Sequence, residues 1–572
     1  MTDVDSSSRP ADSGPGPFPG GVRLEDPGLV RVWTRGATAA LRRERAAIDR
    51  VNVFPVADAD TGTNLYLTLR EGDLAVAAEP AEATGAELLT TLARAALLGA
   101  RGNSGVILSE WLRGLAVAAR RGGGTADLLT RAATSARSAV AQPAEGTILT
   151  AADAAAAAAR AAEGSATGSA VGDTGPLAVV SAAAAAARAA ARASRDELQH
   201  LRTAGVLDAG ALGLVLVLDA LVVAAAGATA GATTGAFAGV SEADGSMDSV
   251  NLDQLLEPAS SSPVRGVPAV DGTERGALPH GAEAGAGALE LMFVLTGPVA
   301  ATADTVAAGL RTALGEVGDS VVVVGGDAGT GTGVWQAHVH TDHLDQALAI
   351  AAAASRTGSL AQVHVRHLEA VAQHEWGVVA ATSAPALAGA LAHAGAVVLL
   401  TGGLGSTVEA LTADDVGRVA ASTGARRVLL LGVPDGPADV KQHLDVDEVV
   451  AVPTPTDVHA VVALAALGTL LPIGLPDELD ADVADVRATV DEALAGLTVT
   501  SVRGDGAVEA LRAAAGPATV VATALLDAEV PDGLPDLLAA ALTERAPEAE
   551  LVVLATGRPG DGVCLGLEEE HA

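Results

Sequence analysis

Between Val30 and Gly227 the sequence is a succession of alanine-rich runs with helical spacing, and this sets the strongest limit on the fold. TRGATAALRRERAAIDR, TGAELLTTLARAALLGA, GGTADLLTRAATSARSAVAQ, LTAADAAAAAARAAE and LAVVSAAAAAARAAARASRDELQHL repeat apolar residues three and four apart, with polar and glycine clusters between them. Alanine is the best helix former, so a bundle with small-residue contacts is expected. The hydrophobic fraction of 49% against only 2% aromatics supports that reading. The most apolar run, AGALGLVLVLDALVVAAAG, has the length of a membrane span, but Asp219 sits near its middle and Asp208 just before it. It is expected to be a buried helix of a soluble domain.

The pattern then changes twice. Residues 228–285 are rich in Gly, Ser, Thr and Pro and are expected to form a flexible linker. Beyond them LELMFVLTG, DSVVVVGG and GVWQAHVHTD have the character of strands, followed by WGVVAAT, AVVLLTGG, RRVLLLGV and EVVAVPT alternating with helical runs. A chain of 572 residues exceeds what one core organises. The expected division is a disordered tail over 1–27, a helical domain over 28–227, the linker, a small α/β middle domain over 286–373 and a C-terminal α/β domain over 374–572.

Acidic residues number 70 against 35 basic ones, a formal charge of -35, which repels nucleic acid and anionic membranes. The single cysteine, Cys564, permits neither an intramolecular disulfide nor a cysteine metal cluster. No signal peptide pattern is present, and a cytoplasmic protein without a transmembrane segment is expected.

The chemistry-bearing stretch is NVFPVADADTGTN, from Asn52 to Asn64. On a helix Asp58 and Asp60 would diverge; in a loop both carboxylates can converge on one ion. An EF-hand is excluded, because counting from Asp58 the sixth residue is Thr63 where glycine is required, and the twelfth is Leu69 where glutamate is required. Hard oxygens with few other protein ligands suit Mg²⁺, whose shell is commonly completed by substrate phosphates. The competing reading is an Asx-turn in which Asp58 or Asp60 only caps the following helix. Further on, LLGARGNSGVILSEWLRG places Gly102, Asn103, Ser104 and Gly105 before an apolar helical run, where free backbone N–H groups suit an anion. Arg101 beside this turn is a candidate contact to ATP. AGVLDAGALGL sets Asp208, Gly210 and Gly213 at a third helix start.

These three segments, in this order, resemble the nucleotide-binding domain of the dihydroxyacetone kinase L-subunit type. The resemblance implies a barrel of eight antiparallel helices and an aspartate loop holding Mg²⁺ against the phosphates of ATP. It makes Asp58 and Asp60 catalytic metal ligands, with Asn52, Thr61, Gly62, Thr63, Asn64, Gly102 to Gly105, Asp208 and Gly210 around the nucleotide. Asn52 or a nearby group stands where that family has a further aspartate. IDRVNVFPVADADTGTNLYLTL, LLGARGNSGVILS and EGTILT are more similar still to the A component of fatty acid kinase, and GDSVVVVGG, HVHTDH, WGVVAAT and ELVVLATGRPGDGVCLGLE extend that similarity down the chain. It implies phosphorylation of a fatty acid presented by a lipid-binding B-type (DegV-like) partner, and a homodimer. The family loop reads P-D-G-D; here Ala57 and Ala59 replace the proline and glycine. If that glycine has positive φ, Ala59 is strained by roughly 1 kcal/mol or more.

His338 and His340 alternate on an expected strand and share one face, a spacing that can bind zinc. In the resembling family a cysteine completes such a site, and Glu290 falls at its place. Solvated histidines, or histidines that position an acid, are the alternatives. Besides the fatty acid kinase reading, a kinase acting on a small hydroxy-ketone or polyol and a degenerate ATP-binding regulator stay open.

Overall fold

The computed structural model describes residues 23–24, 26–55, 59–166, 176–234, 252, 287–298, 303–327, 332–368, 376–402, 404, 412–433, 440, 446–470 and 482–569. Asp58, most of the expected tail and most of the expected linker lie outside them.

The first part is all helical: α1 (Pro27–Arg50), α2 (Thr61–Ala78), α3 (Gly85–Leu98), α4 (Gly102–Arg120), α5 (Thr125–Ala139), α6 (Ile148–Ala166), α7 (Pro176–Glu197), the short α8 (Gln199–Ala204) and α9 (Ala209–Thr234). Each long helix packs on the next, and α9 returns to α1, so the ring closes into the eight-helix barrel that the resemblance implies. Local signals set its ends. Asp26 accepts from Gly28 N at 2.9 Å and Leu29 N at 3.2 Å, with Pro27 in the first turn, so α1 starts inside the expected tail. Thr84 and Glu87 form a capping box on α3.

The apolar run is α9, and it continues through Thr234 into the expected linker because its alanines sustain a helix. Its segment Ala209–Thr229 is long and apolar enough to cross a membrane, yet 83% of it is buried inside the protein. Asp219 is held there by the Arg188 guanidinium from α7.

An eight-stranded sheet follows, ordered β2-β3-β1-β4-β6-β5-β7-β8. Its antiparallel half is β1 (Leu289–Pro298), β2 (Asp319–Asp327), β3 (Thr332–Thr341) and β4 (Ser359–His367); its parallel half is β5 (Trp376–Thr382), β6 (Ala396–Leu400), β7 (Arg427–Leu431) and β8 (Glu448–Val452). An antiparallel pairing of His364 and Val365 in β4 with Leu399 and Val398 in β6 joins the halves. The boundary expected at 373/374 is therefore a seam within one sheet, because β4, a strand not anticipated from the sequence, offers its edge to β6. A second sheet of four strands, β9 (Leu497–Arg503), β10 (Thr519–Leu526), β11 (Glu550–Ala555) and β12 (Gly562–Glu569), has its own small core.

Strand alternation decides what faces the barrel. Along β1, Leu291, Phe293 and Leu295 point into the sheet's own core, while Met292 and Val294 join the barrel core together with Val322, Val324 and Val334. Barrel and sheet thus share one apolar interior. The even-numbered residues Glu290, Gln336, His338 and His340 lie on the barrel-facing side and are at most 3% exposed.

Candidate functional site

The aspartate loop enters α2, and its capping is not what the Asx-turn reading expects. Asp60 occupies the N-cap of α2 without any side-chain capping bond. Asp49 from α1 does the capping instead. Its Oδ1 accepts from Gly62 N at 2.6 Å and Thr63 N at 3.0 Å, and its Oδ2 from Thr63 Oγ1 at 2.7 Å. Burial raises the Asp49 carboxyl to about 6 against these bonds. The N–H groups of Gly62 and Thr63 are therefore committed to Asp49 and are not open phosphate donors. A Cβ at Gly62 would meet the Arg45 carbonyl at 2.3 Å, so this glycine is needed for the approach of α2 to α1.

Asp60, released from capping, faces the sheet. Arg366 Nη2 lies 2.8 Å from Asp60 Oδ2, while Arg366 Nε donates to Glu290 Oε1 at 2.7 Å and Nη2 to Oε2 at 2.9 Å. Register explains the meeting: Glu290 on β1 pairs across with His340 on β3 and Arg366 on β4. Burial alone would raise the Glu290 carboxyl, but the Arg366 guanidinium on both its oxygens holds it well below the usual carboxylate range.

Two regions expected to be separate are thus one site. A small cleft is lined by Asn52, Asp60, Thr61, Asn64, Gly102, Asn103 and Ser104 from the barrel and by Glu290, His340 and Arg366 from the sheet. It adjoins a cavity of about 310 Å³ that shares Thr61, Asn103 and Ser104 and adds Asp208 and Gly210. That size is at the lower bound for small-molecule pockets. The start of α4 presents first-turn N–H groups here. Gly102 has φ 52°, and a Cβ on it would meet Asn64 Nδ2 at 2.4 Å. Thr61 Oγ1 and Ser104 Oγ are 3.3 Å apart, and Asn103 Oδ1 is buried with no donor. Gly105, by contrast, serves packing: a Cβ would meet Thr68 Oγ1 at 2.2 Å.

The sheet also closes the larger cavity, a role invisible in the sequence. Asp319, Ser320, Val321 and Val322 form one wall. They are fixed to the barrel by Ala141 N donating to Val321 O at 3.1 Å and by an antiparallel bridge between Val140 and Val322. Arg101 lines neither the cleft nor this cavity; its side chain turns to a different one.

Ala59 has φ 53°, so the strain expected from the missing glycine is present. Ala59→Gly is expected to stabilise the protein by about 1 kcal/mol, the strain relieved exceeding the entropy glycine adds to the unfolded chain. Urea unfolding checks this, and an unchanged midpoint would remove the strain argument.

Asp208 caps α9, accepting from Ala211 N at 2.7 Å, and burial raises its carboxyl from 3.8 to about 7. Folding therefore takes up a proton on Asp208 between those values, and its contribution to stability falls as pH rises through that window. Asp208→Asn keeps a capping oxygen and removes this titration. The variant is expected to lose roughly 2–3 kcal/mol less than the parent between pH 5 and 8 in urea unfolding. Parallel pH profiles would disprove it.

Glu290, His338 and His340 offer ligand atoms within 4.8 Å of one another. His338 Nδ1 and His340 Nε2 are each 3.7 Å from Glu290 Oε2, and zinc at 2.0–2.1 Å from its ligands needs them about 3.4 Å apart. His338 is wholly buried with no hydrogen bond at either ring nitrogen, and His340 lacks one at Nδ1. Burial lowers His338 to about 3, so it is the neutral imidazole that a metal requires. The donor set fits a divalent metal, although Arg366 already neutralises Glu290.

Fold and site together define a multidomain, kinase-like protein in which an α-helical barrel meets a sheet across its polar cleft. Residues 55–223 match the DAK2 domain family, and residues 288–375 match the FakA-like middle domain, the middle domain of the fatty acid kinase A-type proteins. In these two regions the chain is similar to Dak-domain proteins and to the middle domain of FakA-like proteins. It is 42% identical over 120 residues to an uncharacterized protein of Staphylococcus saprophyticus, covering 19% of this chain and 21% of that one. Over 117 residues it is 38% identical to protein YloV of Bacillus subtilis, covering 20% and 21%. The chain thus spans about a fifth of the length of these curated relatives. The crystal structure of the dihydroxyacetone kinase from C. freundii in complex with AMP-PNP and Mg²⁺ matches at 20% identity, covering 39% of this chain and 37% of that one, with a TM-score of 0.28.

Proposed function

We propose that the protein is the ATP-binding catalytic component of a fatty acid kinase. It transfers the γ-phosphate of ATP to the carboxylate of a fatty acid carried by a lipid-binding B-type partner, giving an acyl phosphate. The observation that carries this reading is the convergence of Thr61, Asn103, Ser104, Asp208 and Gly210 on one cavity, with Asp60 at its end. The match to the FakA-like middle domain supports the acceptor class.

In this reading the first turn of α4 and the Ser104 hydroxyl orient phosphate oxygens, while Ile107, Ile148 and Leu149 give the cavity an apolar lining. Asp58 and Asp60 would hold Mg²⁺, which supplies charge neutralisation to the phosphates; Glu290, His338 and His340 would hold a divalent metal, zinc by donor type. Arg366, anchored on Glu290, fixes the Asp60 carboxylate and adds positive charge at the same end of the cleft. Phosphoryl transfer asks mainly for such positioning and electrostatics.

A nucleotide-binding regulator is the second reading, and the Asp60–Arg366 ion pair favours it, because a carboxylate already paired is a poorer metal ligand. The deciding experiment follows labelled γ-phosphate from Mg-ATP to a long-chain fatty acid, with and without a fatty-acid-binding protein from the same cell. Partner-dependent acyl phosphate supports the kinase. ATP binding without transfer to lipid or to dihydroxyacetone supports the regulator, and transfer to dihydroxyacetone alone moves the acceptor to a small hydroxy-ketone.

A further inference from the structure

The sheet face turned to the barrel carries one polar row. Cross-strand register sets Arg366 on β4, Glu290 on β1, His340 on β3 and Asp319 on β2 side by side. At about 4.8 Å between strands the row is about 14 Å long. Arg366, Glu290 and His340 border the cleft that holds Asp60, while Asp319 lines the cavity of about 310 Å³. The row therefore runs from the phosphate end of the cleft into the larger space.

Asp319 reaches that face through a β-bulge. Val321 and Val323 pack in the sheet's own core and Val322 and Val324 in the barrel core, so strict alternation would send Asp319 inward with the odd-numbered valines. Between the pairs Asp319–His340 and Val322–His338, however, β2 advances three residues while β3 advances two. The extra residue reverses the alternation and turns Asp319 to the side of His340. Ser320 takes φ 52° within the bulge, and Gly318 before it has no room for a side chain, since a Cβ would meet the His340 carbonyl at 2.2 Å. A left-handed serine inside a strand is strained. The strained turn places a carboxylate in the cavity wall instead of in an apolar core.

Among the described residues two carboxylates line this cavity, Asp208 and Asp319. Asp208 is committed to the backbone N–H groups of Ala211, Ile148 and Gly210. Asp319 Oδ2 accepts from Gly287 N at 3.2 Å, and its Oδ1 accepts no bond among the described residues. A carboxylate repels phosphate and accepts from hydroxyls, and an acid placed beyond the phosphate site is the usual partner of a ribose hydroxyl in nucleotide-binding folds.

We propose that Asp319 is the ribose-binding residue of the nucleotide site, its carboxylate accepting from the sugar hydroxyls of a ribonucleoside triphosphate. The assignment rests on the ATP-binding reading above. The phosphates lie against Thr61, Ser104 and the first turn of α4, and the sugar lies toward β2. The sheet, not the barrel, then sets the preference for ribonucleotides over deoxyribonucleotides, and one bound nucleotide touches both parts of the chain.

Mg-ATP, Mg-2′-deoxy-ATP and Mg-3′-deoxy-ATP are titrated calorimetrically, without acyl acceptor, into the full chain as the parent, Asp319→Ala and Asp319→Asn. The parent is expected to bind ATP about tenfold or more tighter than at least one deoxy form, as a hydrogen bond to a charged group predicts. Asp319→Ala should weaken ATP by that factor and leave the same deoxy form within about twofold, so that the ratio of affinities falls to about one. Asp319→Asn keeps an acceptor oxygen without the charge and should fall between the two. A merely structural role weakens all three nucleotides equally and keeps the ratio, and that result overturns the proposal. So does a parent that binds all three alike. Should Asp319→Ala not fold, Asp319→Asn decides, and an undiminished ratio overturns the assignment. A parent that binds no nucleotide overturns the ATP-binding reading itself, an outcome distinct from ATP bound without sugar discrimination, which overturns the ribose contact alone.

Discussion

Arg366→Gln is expected to destabilise the folded chain by about 3–5 kcal/mol, the largest loss foreseen for a single polar substitution here. Glu290 is 2% exposed and both its oxygens are taken by the Arg366 guanidinium. Removing the cation leaves a buried carboxylate without its guanidinium partner, beside the His338 and His340 rings. It also frees Asp60, so the barrel and sheet lose their one ion pair across the cleft among the described residues. The double variant Glu290→Gln/Arg366→Gln should regain most of the loss, because neither residue then strands a buried charge. Urea unfolding of the four members of this cycle measures it. An Arg366→Gln variant within about 1 kcal/mol of the parent would show that the network is not structural.

Asp60→Ala is expected to remove phosphoryl transfer by at least about 10²–10³-fold while leaving the protein folded. The separation of the two effects follows from the capping geometry. The Asp60 side chain makes no bond to the start of α2, whereas the Asp49 side chain makes three. Asp49→Ala should therefore cost about 2 kcal/mol of stability, as the loss of a strong helix cap does. Labelled-ATP turnover and urea midpoints on the two variants give opposite patterns if this holds. Turnover by Asp60→Ala at the parent's rate would remove Asp60 from the site.

Much of the barrel was legible because alanine-rich periodicity is a local signal. The runs that became α1, α3, α5, α6 and α7 are visible as they stand, and so is the burial of α9 despite its membrane-like apolarity. The D-A-D loop, the Gly-Asn-Ser-Gly turn and the His-x-His alternation were also readable, since spacing alone says which groups share a face or free their N–H groups. Asp49 was not readable as the cap of α2. It lies in a run that reads simply as the end of α1, and a capping partner 13 residues away leaves no periodic trace. Arg366 was missed for a similar reason: SLAQVHVRH alternates like a strand, but its partner Glu290 is 76 residues earlier.

The sequence by itself determined most of the barrel helices and several of the strands, which residues carry hard oxygen, imidazole and phosphate-type donors, and where Ala59 would be strained. Each is settled within a few residues by backbone sterics and side-chain alternation. Only the tertiary structure decided that the aspartate loop and the histidine strand form one site, that Asp319 to Val322 close its cavity, and that Arg101 faces away from it. Those outcomes depend on strand register and on the packing of the sheet against the barrel, where one shared apolar interior brings distant residues together at distances no local pattern encodes.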